Sequence, residues 1–301
     1  MEIALLLDDL NLYRGSLANI YLESWGSQGN GLSNAISKIN CWVHPESHFT
    51  MLYYGNEFCE YCLPSSDELA EFASICERDN LRPVFVTSPV SDWGLERVKS
   101  AFEYLSQSFR EFEVVVNDVG ILEMLHKEHP DQSIIMGRLF DKLSHDSRIL
   151  TKDIGNYYGT AGLKFARTPG ILSEKARYAF SEYNICRYEF DLPKVGIDLP
   201  EDGCFSLYWP YQYLTTGRVC MMRAFGYQGK NKFLVGNSIC SRLCKNVQVE
   251  MRKPVNGFQI SNGSKVGDTF LFQKGNTVFY LYEEEDFLEN AKQFDRLVLQ
   301  I

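Results

Sequence analysis

Residues 49–90, FTMLYYGNEFCEYCLPSSDELAEFASICERDNLRPVFVTSPV, contain a strand–helix–strand pattern from which the fold class of this chain can be predicted. The apolar run at 49–54 predicts a β-strand, and Ser65 or Ser66 can cap a helix that continues to about Asp79. A second β-rich run follows at 83–90. A strand, a helix and a strand in this order predict two parallel strands joined by a right-handed crossover.

The same alternation continues through the first two-thirds of the chain. The strands are continuous apolar runs, as expected when both faces of a sheet are covered. No Gly-x-Gly-x-x-Gly follows the first strand, which argues against an open dinucleotide-binding sheet. We therefore predict an α/β fold, a TIM-like (β/α) barrel. Its further strands are predicted at 3–7, 113–117, 133–136, 163–167, 185–190 and 295–301, and its further helices at 94–109, 120–128 and 173–182.

The sequence changes character after Gly203. A hairpin is predicted from 269–272 to 277–282 around Gln273-Lys274-Gly275-Asn276, with candidate strands at 247–251 and 258–260. The run at 295–301 then returns to close the barrel. We predict one barrel domain over 1–301, in which 203–290 forms a cysteine loop and a β-rich insertion before the last strand.

Charge and hydrophobicity exclude several classes of protein. The net charge of −9 disfavours nucleic-acid binding, which relies on basic surface. No window approaches 18 apolar residues, and the start lacks the basic region and length of a signal peptide, so neither a membrane span nor secretion is expected. We therefore expect a cytoplasmic protein, whose cysteines are free thiols or metal ligands rather than disulfides.

Four of the nine cysteines lie where metal ligands are expected. Cys59 follows the strand at 49–54, and Cys220, Cys240 and Cys244 lie together in polar sequence far downstream. Thiolates are the ligands of iron–sulfur clusters and of structural zinc. A competing set for zinc is Cys59, Cys62, Cys240 and Cys244, whose close pairs fit zinc spacing. Free cysteines are otherwise small buried hydrophobes, an interpretation that suits Cys76 and Cys186.

Polar residues follow the predicted strands at the end where TIM barrels carry their sites. Asp118 is either a working carboxylate or the N-cap of the next helix. Arg138, Lys142 and Arg148 follow the next strand. They form either a binding site for an anion, since Arg matches carboxylate or phosphate oxygens bidentately, or a salt-bridged loop. His145 is expected to be an exposed loop residue. The candidates are Asp118, Arg138 and Lys142 as catalytic groups, and Asn117, Asp146 and Arg148 as substrate-binding groups.

Machinery for nucleophilic hydrolysis is not visible in the sequence. It has no Gly-x-Ser-x-Gly, no Cys/His signature, no Walker sequence and no His-Glu-x-x-His. A peptidase or hydrolase therefore stays an alternative without a motif to support it.

Seven short motifs occur in order along the chain: Tyr54-Gly55-x-x-x-Cys59, Asn117-Asp118-Val119-Gly120, Gly137-Arg138-Leu139-x-x-Lys142, His145-Asp146-Ser147-Arg148, Arg218-Val219-Cys220, Cys240-x-x-x-Cys244 and Asp295-Arg296-Leu297. Together they resemble the peptidase U32 family, most closely its short, single-domain, UbiV-like branch. The resemblance covers nearly the whole chain, and the ordered cysteines are its most specific part. Three features depart from the family pattern: Ser147 replaces a proline, 19 residues separate Cys220 from Cys240, and Cys62 is an additional thiol.

The resemblance implies a TIM-like barrel with a [4Fe-4S] cluster on Cys59, Cys220, Cys240 and Cys244. Proteins of this branch work with a second U32-family subunit, as a heterodimer, in oxygen-independent hydroxylation during ubiquinone biosynthesis. Other members modify RNA or were named collagenase-type peptidases. We therefore expect a redox modification of a small anionic or aromatic substrate. The alternatives are a U32-type peptidase and a non-enzymatic partner subunit with a structural iron–sulfur or zinc site.

Overall fold

The computed structural model describes residues 1–13, 49–146, 151–226, 240–251, 271–281 and 291–300. Eight parallel strands form a closed barrel in the order β1-β12-β7-β6-β5-β4-β3-β2, which confirms the predicted TIM-like α/β fold. The barrel strands are β1 (Glu2–Leu7), β2 (Met51–Gly55), β3 (Arg82–Val86), β4 (Glu113–Val116), β5 (Ile134–Met136), β6 (Ile185–Phe190), β7 (Phe205–Trp209) and β12 (Arg296–Gln300).

The first and last strands close the barrel by pairing with each other. Leu5 of β1 lies opposite Leu299 of β12 and opposite Leu52 of β2. Alternate residues divide into two layers, because successive strand residues point to opposite faces. In β2, Tyr53 packs in the barrel interior, whereas Leu52 joins the outer layer beneath the helices. Both faces are therefore covered, as the continuous apolar strands predict.

Helices cover the outside of the barrel where the sequence predicts them. In the first, the Ser65 side chain accepts a hydrogen bond from the Glu68 amide and the Glu68 carboxylate accepts one from the Ser65 amide, a capping box that fixes the helix start. No helix within the described ranges is both long and apolar enough to cross a membrane. The helices are α1 (Ser66–Asp79), α2 (Asp92–Ser108), α3 (Val119–Glu128), α4 (Thr151–Arg167), α5 (Glu174–Ala179) and α6 (Met221–Gly226).

One strand prediction is wrong, and one barrel strand was not predicted. The stretch 163–167, predicted as a strand, is the last part of α4, which is interrupted at Gly159 (φ 64°). A short apolar run does not by itself distinguish a strand from the end of a helix. Conversely, β7 is a barrel strand although it lies inside 203–290, the range assigned to the insertion. The insertion therefore begins after β7.

A second, four-stranded sheet follows the carboxyl end of β7. Its strands are ordered β8-β11-β10-β9 and pair antiparallel, which agrees with a β-rich insertion before the last strand. The predicted hairpin is formed by β10 and β11, with Gly275 in its turn at a positive φ of 64°. The predicted strand at 258–260 lies outside the described residues. The strands are β8 (Tyr211–Thr216), β9 (Val249–Met251), β10 (Leu271–Lys274) and β11 (Thr277–Leu281).

Candidate functional site

Loops from distant parts of the chain meet at the carboxyl end of the barrel. The Asn276 side chain, in the β10–β11 turn, donates to the Phe58 carbonyl (2.7 Å) after β2 and to the Gly217 carbonyl (2.7 Å) after β8. Arg218 donates to the Val90 carbonyl (3.1 Å) and pairs with Glu60 (3.3 Å). These contacts attach the sequence around Cys59 to the sequence around Cys220.

The loop that carries Cys240 and Cys244 is attached to the same place. Arg242 donates to the Leu63 carbonyl (2.9 Å), and both Arg242 and Lys245 pair with Glu68 in the first turn of α1. Although burial opposes ionisation, the hydrogen bond from Lys245 (2.5 Å) helps to lower the pKa of Glu68 to about 2. The loop is therefore held against the start of α1 by charge-assisted bonds.

The thiols themselves lie in one neighbourhood. The Sγ atoms of Cys62 and Cys244 are 3.8 Å apart. The hydrogen bond from Cys62 lowers the pKa of Cys244 to about 7, and a second one lowers the pKa of Cys59. Burial raises the pKa of Cys220 and of Cys240, and the nearby charges of Cys59 and Cys244 raise both further. Cys59 and Cys244 thus interact with Cys62 through hydrogen bonds, and with Cys220 and Cys240 through their charge.

The other cysteines differ from this group. Cys76 is buried in α1, as predicted. Cys186, predicted to be a buried strand residue, is exposed on β6, and Cys204 is exposed as well. Cys41 lies outside the described residues.

The thiol group is not a preassembled metal site. No set of three or more His, Cys, Asp or Glu side chains in the described segments is arranged to hold a metal ion. The donor chemistry nevertheless suits a thiophilic metal or an iron–sulfur cluster. Two sulfurs bound to one tetrahedral metal at about 2.3 Å lie roughly 3.8 Å apart. The Cys62–Cys244 separation of 3.8 Å equals that spacing.

A cavity of about 270 Å³ lies beside the thiols. Cys59, Cys62 and Cys244 form part of its wall. Aromatic side chains form another part, with the rings of Phe272 and Phe279 stacked at 5.4 Å. This arrangement provides an apolar face for a small organic molecule next to the cysteines.

An ion pair lines the same cavity. The Lys274 ammonium contacts Asp8 Oδ2 at 2.5 Å, whereas Asp8 Oδ1 is buried and accepts no hydrogen bond within the described part of the chain. A buried acceptor without a donor is costly, so this oxygen suits a ligand that donates a hydrogen bond. The sequence offered one signal for Asp8, its position directly after β1, and none for Lys274.

Arg138 lies fully buried beneath the cavity. Its guanidinium donates to Glu57, to Asp191 (2.7 Å) and to Gln300 (3.1 Å), and it lies 3.8 Å from the ring centre of Tyr208. Glu57 and Gln300 also line the cavity. Of the two interpretations of this cation, the geometry supports the salt-bridged one, because its donors are directed to groups of the barrel itself.

Comparison with protein-family models, curated proteins and solved structures gave no significant match.

His145 is buried, so its prediction as an exposed loop residue is wrong. Nε2 lies 3.1 Å from Asp141 Oδ1, and Nδ1 lies 3.1 Å from Gln212 Nε2. Burial opposes the charged imidazole, but the hydrogen bond to Asp141 and the charge of Asp191 raise the pKa of His145. Burial raises the pKa of Asp191 to about 6 even though Arg138 stabilises its charge. These five groups form one polar cluster under the barrel mouth.

The remaining predicted residues have mostly structural contacts. Asp118 Oδ1 accepts from the Gly120 and Ile121 amides at the start of α3, and Oδ2 accepts from the Val90 amide (3.2 Å), which confirms the N-cap interpretation. Lys142 is exposed and donates to the Leu139 carbonyl, Asp146 is half-buried, and Arg148 lies outside the described residues. A catalytic or substrate-binding role for these residues stays a prediction.

Asn117 joins three strands rather than facing the cavity. Its side chain donates to the Thr87 carbonyl (3.0 Å) and accepts from the Leu139 amide (3.2 Å). Gly137 lies so close that a Cβ there would meet Asn117 Oδ1 at 2.2 Å. The glycine is therefore required by this approach, and Asn117 fixes the carboxyl ends of β3, β4 and β5 relative to one another.

Glu189 is a buried carboxyl group that was not predicted from the sequence as a functional residue. It accepts hydrogen bonds from Tyr53 (3.0 Å) and Tyr208 (2.6 Å) in the barrel interior. Burial raises the pKa of Glu189 from an ordinary 4.5 to about 7. The folded state therefore holds a proton that the unfolded chain releases, and the stability this gives is lost as the pH rises through about 7.

We expect Glu189→Gln to reduce the pH dependence of stability. At about 1.4 kcal/mol per pH unit, wild type should lose about 3 kcal/mol more than the variant between pH 4.5 and pH 8. Urea unfolding at a series of pH values measures this difference. Glu128→Gln, at the exposed end of α3, is the matched control and should follow wild type. Parallel curves for wild type and Glu189→Gln would contradict the assignment.

Proposed function

We propose that this chain is an iron–sulfur protein that takes part in an oxygen-independent redox modification, as its resemblance to the U32 family implies. The observation that supports it is that two predicted ligands far apart in sequence, Cys59 and Cys244, line one cavity at the carboxyl end of a TIM-like barrel, and that, besides burial, their charges raise the pKa of Cys220 and of Cys240. Sites of TIM-barrel enzymes lie at that end.

These four cysteines would hold the cluster, which supplies electron transfer when it is bound. The residues around the cavity would hold the substrate. Lys274 offers a positive charge to an anionic group, the buried Asp8 Oδ1 accepts a hydrogen bond, and Phe272 and Phe279 offer an apolar face. Such a wall suits the small anionic or aromatic substrate that we propose, placed within reach of the thiols.

Hydroxylation is the redox modification that the resemblance favours, and a second U32-family subunit is the proposed partner. Both rest on the resemblance rather than on the geometry. Arg138, Glu57 and Asp191 would support the site from below, since their bonds fix the floor of the cavity.

Anaerobic purification followed by metal analysis tests the proposal. We expect a brown protein with about four iron and four sulfide per chain. Treatment with dithionite should bleach the colour and produce an electron paramagnetic resonance signal, because a cluster that takes part in a redox reaction must accept an electron. A colourless protein, or iron that dithionite does not reduce, would contradict the redox role.

A structural zinc site is the second candidate, and the position of Cys62 favours it. The 3.8 Å separation between Cys62 and Cys244 suits two sulfurs on one tetrahedral ion, whereas cluster ligands bind separate iron atoms. Cys59, Cys62, Cys240 and Cys244 would then be the ligands. The chain would be a non-enzymatic subunit, and the purified protein would contain one zinc ion and no sulfide.

A further inference from the structure

Cys62 has no role in the proposed cluster, yet its sulfur is in direct contact with a proposed ligand. The two Sγ atoms of Cys62 and Cys244 are 3.8 Å apart, although 182 positions separate these residues in the sequence. Both side chains are partly exposed and both line the 270 Å³ cavity. A small reagent can therefore reach the pair.

We propose that Cys62 and Cys244 form a reversible disulfide when the site holds no metal. The disulfide removes Cys244 from the ligand set, so the loading of the site depends on the thiol redox state. The consequence for loading rests on the proposed metal centre, whereas the formation of the disulfide does not.

The geometry requires little movement. A disulfide has an S–S length of about 2.05 Å, so the sulfurs must approach by roughly 1.8 Å. Each cysteine lies in a short 3-10 turn, Glu60–Cys62 and Leu243–Lys245. The Arg242 bond to the Leu63 carbonyl joins the chain next to both cysteines, so the two backbones stay together while the side chains rotate.

The reaction balances with a low-molecular-weight disulfide such as oxidised glutathione. One cysteine sulfur, deprotonated, attacks the glutathione disulfide and releases one glutathione thiolate, which leaves a mixed disulfide on the protein. The second cysteine sulfur then displaces the other glutathione. The two cysteines lose two electrons and two protons, which appear in two molecules of reduced glutathione.

Cys59 is the competing partner for Cys62, since the two side chains also interact. A Cys59–Cys62 disulfide would close a loop within one 3-10 turn and leave Cys244 available. A Cys62–Cys244 disulfide closes a loop of about 180 residues instead, which makes the denatured chain more compact. The two products are therefore distinguishable on a gel.

Redox titration of the metal-free, full-length chain tests the proposal. The protein is treated with a chelator and a reductant, equilibrated with glutathione buffers, alkylated and run on a non-reducing denaturing gel. We expect a faster band in oxidising buffer, which dithiothreitol reverses, and a peptide in which Cys62 is linked to Cys244. Cys62→Ser should lose the faster band, and Cys204→Ser, at an exposed thiol, should keep it. A Cys59–Cys62 product, or full alkylation of Cys62 and Cys244 in oxidising buffer, would overturn the proposal.

Metal uptake separates this inference from the proposed function. Oxidised wild type should take up at least tenfold less iron and sulfide than the reduced protein, with recovery after dithiothreitol, and Cys62→Ser should load equally in both buffers. If the reduced protein loads zinc alone, the iron–sulfur proposal fails while the faster band still supports the disulfide. If iron and sulfide load but the faster band never forms, the disulfide fails alone.

Discussion

Replacing Arg138 by methionine is expected to destabilise the folded protein by about 3–5 kcal/mol. The guanidinium is fully buried, pairs with Glu57 and Asp191, and stacks on Tyr208. Without it, the buried carboxylates of Glu57 and Asp191 lose the cation that both of them contact. Breaking a buried pair by removing one partner is costly for this reason. Urea unfolding at neutral pH measures the loss.

Arg177→Met is the matched control for this substitution. Arg177 lies 3.6 Å from Asp202 in an exposed pair, so its loss should change stability by no more than about 0.5 kcal/mol. The double variant Arg138→Met/Glu57→Gln should recover part of the stability, because it removes one of the two unpaired charges. Equal effects of Arg138→Met and Arg177→Met would show that the buried network does not support the barrel mouth.

Substitution of any one of Cys59, Cys220, Cys240 or Cys244 by serine is expected to reduce the iron content below about a tenth of wild type. Removing even a group that only orients a ligand lowers metal affinity by about 10–100-fold, so the loss of a ligand itself should cost at least as much. Iron and sulfide analysis after anaerobic purification measures the effect, and the spectrum should bleach in parallel.

Two further cysteine variants make this series decisive. Cys204→Ser removes an exposed thiol and should keep its iron. Cys62→Ser should also keep its iron if the cluster uses the four proposed ligands, but it should lose the metal if zinc uses Cys62. Retention of iron in all four ligand variants would contradict the proposed site.

The sequence predicted the barrel well because its strands are buried on both faces. Such strands appear as continuous apolar runs between capped helices, and β2, α1 and β3 lie close to their predicted positions. The wrong strand at 163–167 and the strand β7, which was not predicted, have a common cause. Each is a run of five residues, too short for periodicity to separate helix from strand or barrel from insertion.

The polar interior could not be predicted in the same way. On β6, Arg187 and Glu189 alternate with Tyr188 and Phe190, and Asp191 directly follows the strand, a pattern typical of charges facing solvent. In this barrel Phe190 packs in the outer layer under the helices, so the charges face inward and meet partners from other strands. Such partners are distant in sequence, which explains why the buried His145 was also missed. The signal in the sequence is that charged and apolar residues alternate along β6, whereas the neighbouring barrel strands are mostly apolar.

The ligand set Cys59, Cys220, Cys240 and Cys244 stays a prediction, and Cys59 and Cys244 line one cavity. The sequence analysis treated Cys62 as an additional thiol, yet its sulfur lies 3.8 Å from that of Cys244. Its contact with Cys244 depends on how the 240–246 loop lies against α1, through bonds from Arg242 and Lys245 to Glu68. Spacing along the chain contains no information about that contact.

X-ray absorption at the metal edges of the anaerobically purified protein shows directly whether the cysteines hold an iron–sulfur cluster. We expect an iron edge with sulfur neighbours at about 2.3 Å and a second shell of iron, as in a cluster held by thiolates. A zinc edge with four sulfurs at about 2.3 Å, or no metal with sulfur neighbours, would contradict it.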